Sequence, residues 1–144
     1  DTLSLHDALP ICYEAGDRRP QRDPELEAWI VAESARMGIQ RRPIGEEEIL
    51  ERCLYGMVNE GARLLEHGIA LRPSDIDIVY LTGYGFPAAQ GGPMAMADRI
   101  GLPKVLAAIR RLHAEHGFWW QPAPLLEQLV AEGRSFADLQ RAGG

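Results

Sequence analysis

The sequence predicts a helical domain, and three observations carry that reading. Apolar residues recur at three- and four-residue spacing from Glu46 to His67, the wide stripe that an amphipathic helix buries. A second stripe runs from Leu102 to His116, with Val105, Leu106, Ile109 and Leu112 on one side. Glycine and proline fall where helices stop and start, at Pro24, Gly38, Gly68, Pro93, Gly101 and Gly133.

Each element can be justified in turn. Asp23 is an N-cap with Pro24 at the first helical position and Glu25 and Glu27 in the first turn, where the helix dipole favours acids. Leu26, Trp29, Ile30 and Val31 continue that helix, which should stop at Gly38. In the long helix, Ile49, Leu50, Cys53, Leu54, Met57, Val58, Leu64 and Leu65 make the stripe expected to form the core. Gly61 lies in its path and predicts close approach of another helix, while Gly68 should cap its end. Ser74 with Asp77 approximates a capping box, so Asp75 to Leu81 reads as a helix with Ile76, Val79 and Tyr80 on one side. The same residues, short and β-branched, read nearly as well as a strand, and periodicity leaves the choice open. Gly92 and Pro93 begin a helix to Ile100, Pro122 to Glu132 forms another, and Ser135 with Asp138 starts a final turn.

Composition bounds the function. The chain has 144 residues, 46% apolar and 25% charged, enough for one ordinary soluble domain with a single core. No apolar run approaches the roughly 20 residues of a membrane span. A net charge of −6 argues against a nucleic-acid partner, which would need clustered bases. Arg18, Arg19, Arg22, Arg41 and Arg42 make local basic spots, but acids border them, as on a solvated surface. Cys12 and Cys53 have no metal or redox spacing and read as reduced thiols.

The opening stretch "DTLSLHDALPI" has neither the basic start nor the apolar centre of a signal peptide. It resembles the conceptual translation of a common sequencing adapter. Residues 1–11 are therefore expected to be an artefact outside the fold, with the domain occupying residues 12–144. Without Asp1 and Asp7 the chain has 19 acids against 15 bases, a net charge of −4. The natural protein is expected to begin upstream of Cys12, which would make this chain a fragment.

The glycines of "DIDIVYLTGYGFPAAQGGPM" raise the question of a nucleotide-binding turn, because Gly83, Gly85 and Ala88 fit the dinucleotide spacing. That turn needs an uninterrupted helix after it, and here Gly91, Gly92 and Pro93 intervene. Asp98 comes too early for the ribose-binding acid, and the lysine of a phosphate-binding P-loop is missing. A tight loop between packed helices is favoured. His113 and His116 have helical spacing for a metal but no third ligand, so they read as a solvated face. Trp119 and Trp120 before "QPAP" read as a rim pair packing the chain's return. No serine, cysteine or histidine shows a nucleophile and base arrangement. No catalytic, cofactor-binding or metal-ligating residue is assigned.

A family resemblance adds what the chemistry does not. From Tyr13 to Leu139, the segments "ILERCLY", "NEGARLLEHGIA", "DIDIVYLTGYGFP", "GGPMAMAD" and "GLPKVL" occur in that order, preceded by "DRRPQRDPE" and followed by "PAPLLEQLVAEGRSFADL". They resemble the C-terminal helical domain of 3-hydroxyacyl-CoA dehydrogenases, more narrowly its second copy at the end of multifunctional fatty-acid β-oxidation enzymes. The resemblance implies an all-α domain, with Ile76 to Leu81 helical. It implies a parent whose upstream Rossmann domain binds NAD and carries a catalytic His and Glu pair, usually preceded by a hydratase and isomerase domain. No cofactor is expected in this fragment. Its expected partners are the missing Rossmann domain and first helical copy, with acyl-CoA as a candidate ligand.

The family places a catalytic Asn before an Arg near the start of the long helix of the first copy. Here that place is Glu51, before Arg52, which points away from direct catalysis. Gly83, Tyr84, Gly85, Pro87, Gly92 and Pro93 would form a loop near the substrate. The expected role is packing against the first copy, with a stand-alone acyl-CoA-binding or helical interaction module as the alternative. The C-terminal "QRAGG" lacks a peroxisomal Ser-Lys-Leu address, so a bacterial cytoplasm is the expected location.

Overall fold

A computed structural model describes residues 11–13, 15, 16, 19 and 21–142. The adapter-like stretch up to Pro10, Arg18, the Cys12 thiol and the last two glycines lie outside the described residues. The chain divides into two units, Asp1–Pro43 and Ile44–Gly144.

The first unit holds a minimal ribbon and one helix. Strands β1 (Ile11–Cys12) and β2 (Gln21–Arg22) pair antiparallel, Ile11 opposite Arg22 and Cys12 opposite Gln21. Helix α1 (Pro24–Arg36) starts as expected, with the Asp23 carboxylate accepting the N–H groups of Glu25 and Leu26 at 3.0 Å. Arg22 donates twice to Glu27 at 2.7 Å, and this pairing holds the Glu27 carboxyl below its usual range. No residue of α1 is buried.

Every regular element described in the second unit is a helix or a 3-10 turn. Helix α2 (Glu46–Glu66) is followed by α3 (Pro73–Gly83), a 3-10 turn at Ala88–Gln90, α4 (Pro93–Ile100) and α5 (Leu102–His116). A further 3-10 turn at Gly117–Trp120 leads to α6 (Pro124–Ala131) and α7 (Phe136–Ala142). The residues from Asp75 to Leu81 are helical, so their β-branched composition yields to the packing of Ile76 in the core. Helix α2 packs on α4, α5 and α6, and the core gathers Val58, Ala62, Met94, Val105, Ile109, Leu126, Leu129 and Phe136.

Two local expectations are corrected. The buried line of α2 is Tyr55, Val58, Asn59 and Ala62, whereas Ile49, Leu50 and Cys53 are exposed. Toward the end of this line α4 approaches so closely at Gly61 that a Cβ there would stand 2.6 Å from Met94 Sδ. The capping box of α3 is also two residues earlier than expected. Arg72 is the N-cap, Asp75 accepts its N–H at 3.0 Å, and the Arg72 guanidinium pairs with the same carboxylate at 2.8 Å.

Asp77 is thereby released for a longer-range role. Its buried carboxylate accepts the N–H groups of Met94 at 2.7 Å and Ala95 at 3.2 Å, capping α4 from α3. The same device recurs twice. Asn59 accepts the N–H of Ala123 at 2.8 Å and donates to the carbonyl of Gln121 at 2.9 Å, ahead of α6. Asp98 accepts the N–H groups of Phe136 and Ala137 at 2.9 Å, capping α7. These helix starts lack effective caps of their own at Gly92 and Ala123, while Ser135 is occupied by Asp138.

Three measurements check this account. Asp77→Ala leaves two helix N–H groups without an acceptor, and urea unfolding should show a loss of about 2–3 kcal/mol. Gly61→Ala should lose about 1–3 kcal/mol by overpacking against Met94, with α2 otherwise intact by circular dichroism. Burial pushes the Asp77 carboxyl above its ordinary range, opposed by the two amide donors and reinforced by Asp98. A raised folded-state pKa means the folded chain holds the proton more tightly, so this stability contribution is full below the unfolded pKa and fades as pH rises through the folded one. The stability of wild type relative to Asp77→Asn should therefore fall with rising pH above about 4; a gap that widens would contradict the assignment.

Candidate functional site

A groove of about 760 Å³ opens between α2, α3 and α4. Leu50, Leu54 and Met57 form the α2 wall, one residue set per turn. Tyr80, Tyr84 and Phe86 form an aromatic wall, with ring centroids of Tyr80 lying 5.4 Å from Tyr84 and 6.3 Å from Phe86. Met96, Ile100 and Arg99 close the α4 side.

The loop from Tyr84 to Gly92 exists because α3 cannot continue. Tyr84 and Phe86 both donate their N–H groups to the Tyr80 carbonyl, and Gly85 takes the left-handed conformation, φ +68°, that this reversal requires. Pro87 then leads into the 3-10 turn, and Gly92 presses against the Asp77 carboxylate so tightly that any Cβ would overlap it. Arg99 ties the turn down, its Nη2 donating to the Gln90 carbonyl at 2.6 Å and to Gln90 Oε1 at 2.7 Å.

The loop residues picked out by sequence separate into two sets. Tyr84, Gly85 and Pro87 border the groove. Gly83 is an exposed helix end, and Gly92 and Pro93 are buried beneath, where they seat α4 on Asp77. Sequence reasoning missed Leu50, Leu54, Met57, Met96 and Ile100 as a surface, because groove-lining and core residues share the same helical period. Arg99 had no signal of its own.

Other candidates have structural partners. Glu51 pairs with Arg111 of α5 at 3.0 Å, and Arg52 pairs with Glu48 at 2.8 Å while donating to His116 Nε2 at 2.9 Å. His113 Nδ1 donates to the Gly117 carbonyl at 2.8 Å, closing the end of α5. The two tryptophans part company: Trp120 is half-buried and lies over Gly56, whereas Trp119 is 84% exposed. Elsewhere, Ile69 and Leu71 before α3 are 71% and 85% exposed, and Ile78 and Val79 on α3 are 56% and 54% exposed. Glu51→Gln removes only a partly solvated ion pair, so thermal or urea unfolding should register a loss below about 1 kcal/mol. A much larger loss would give Glu51 a role that this geometry does not contain.

Residues 49–140 match the 3-hydroxyacyl-CoA dehydrogenase C-terminal domain. The chain is 43% identical over 122 residues to the peroxisomal bifunctional enzyme of Danio rerio, covering 82% of this chain and 17% of that protein. It is 41% identical over 113 residues to the human peroxisomal bifunctional enzyme, covering 77% of this chain and 16% of the relative. It is 40% identical over 89 residues to the fatty acid oxidation complex subunit alpha of Shewanella amazonensis, covering 62% and 13%. The chain thus spans about a sixth of the length of the first two of these curated relatives. With the motifs in order and the helices in place, the chain belongs to the 3-hydroxyacyl-CoA dehydrogenase C-terminal domain family.

Proposed function

We propose that this chain is the second helical copy of a multifunctional fatty-acid β-oxidation enzyme, packing against the first copy to complete the helical dehydrogenase core. In the parent, 3-hydroxyacyl-CoA is oxidised to 3-oxoacyl-CoA: a His of the upstream Rossmann domain takes the hydroxyl proton and hydride passes to bound NAD. The helical tail contributes no group to that transfer. Glu51, at the place of the family's catalytic Asn, is spent on Arg111.

The observation that carries the reading is the apolar outer side of α3. A helix with Ile76 in the core and Ile78 and Val79 in solvent is apolar on two sides, and such helices are normally covered on both. Ile69 and Leu71 extend the same surface, and obligate partners bury faces of this kind. The bacterial cytoplasmic placement belongs to the same proposal and rests on likeness to the Shewanella subunit, while the fish and human relatives are peroxisomal by name. No helix among the described residues is long and apolar enough to cross a membrane.

The alternative, an acyl-CoA-binding module acting alone, draws on the groove. Its weakness is charge: Arg99 is the single charged residue lining that groove, whereas a coenzyme A head is a polyanion. Sedimentation of the chain alone should show self-association that grows with concentration, together with binding of a dye that reports apolar surface. Val79→Lys should suppress both. A monomer at every concentration, with no dye bound, would remove the packing role.

A further inference from the structure

The groove is a second apolar surface with a different character from the face of α3. Its volume of about 760 Å³ lies within the roughly 300–1,000 Å³ typical of small-ligand sites. Its walls are apolar and aromatic, and the one charge in its lining is Arg99, beside Gln90. The floor is fixed in advance, because the Asp77 cap holds α4 to α3 and the Arg99–Gln90 bracket holds the turn.

Arg99 is the feature that selects an occupant. A guanidinium offers five N–H donors, and here Nη2 serves Gln90 while no acceptor meets Nη1 or Nε among the described residues. Arg99 is exposed and forms no ion pair among those residues. An apolar groove with one cation in its lining matches an apolar tail that carries one negative charge. A polyphosphorylated carrier would place several anions against a chain of net charge −6 with a single base to receive them. An uncharged tail would leave the cation unused.

We propose that this groove binds a long-chain fatty carboxylate, its tail along Leu54, Met57, Met96 and Ile100 and its carboxylate on Arg99. The inference goes beyond the packing role and does not rest on it, since the α3 face and the groove are probed by different variants.

The test uses the full 144-residue chain and dodecanoate kept below its micelle concentration, with binding followed by calorimetry and the methionine methyl groups by NMR. Saturable one-to-one binding is expected, with shifts confined to Met57 and Met96. Dodecanol should bind at least about tenfold more weakly than dodecanoate, in line with the strength of charge-assisted hydrogen bonds. Arg99→Gln should weaken dodecanoate by a similar factor and leave dodecanol unchanged, while Arg99→Lys, which keeps the cation, should retain most of the affinity. Equal losses in Arg99→Lys and Arg99→Gln would reduce Arg99 to bracing the Gln90 turn and overturn the proposal. It would also fall if dodecanoate does not saturate, or if dodecanoyl-CoA binds more tightly than dodecanoate.

Discussion

The helical unit depends on one kind of interaction: a buried side-chain oxygen on one helix that accepts the free N–H groups at the start of another. Every α-helix begins with N–H groups that its own turns cannot satisfy, and burying them unpaired is costly. At Gly92 and Ala123 this chain has no side chain able to accept them, so Asp77 and Asn59 reach in from α3 and α2. Asp98 does the same for α7. Burial disfavours the Asp77 carboxylate, and the amide donors at the positive end of α4 oppose that cost.

These contacts do more than stabilise, because each fixes the position of one helix against another that is distant in sequence. The Asp77 link needs Gly92 to have no side chain, and the α2–α4 contact needs Gly61 to have none. With α4 seated in this way, Met96, Arg99 and Ile100 line one groove with Leu54 and Met57, while Met96 stays buried and Leu54 and Ile100 also pack against the core. The aromatic wall follows from the same geometry, since the end of α3 turns back on the Tyr80 carbonyl. The outer side of α3 is left apolar and exposed, and it is the surface that the proposed packing role would cover.

Much of the helical order was legible in the sequence because its signals are local. Pro24, Pro93, Gly68, Gly101 and Gly133 mark starts and stops through backbone geometry alone, and Gly61 marked a close approach that Met94 fills. The misreadings share a physical origin. Asp77 was paired with Ser74 three residues away, and Asp98 was set aside as a ribose ligand and given no other role, when each accepts N–H groups 17 or more residues distant. A carboxylate has no local sequence mark that tells which amides it will meet. The α2 stripe held only in part for a related reason: Val58 is in the core with Leu54, Leu64 and Leu65 packed against it, but Leu50, Leu54 and Met57 also line a groove that their shared period does not reveal. The helical assignment of the segment from Asp75 to Leu81 came from family likeness, since its composition suited a strand nearly as well.

The most direct test of this account is amide hydrogen exchange at Met94 and Ala95. First-turn amides of a helix ordinarily exchange early, because they lack intrahelical partners. If the Asp77 cap organises the fold, both should exchange as slowly as the core amides of α5, through global unfolding only. Exchange at the rate of an unprotected helix start would show that α4 is not held by Asp77, and the seating of the groove would lose its basis.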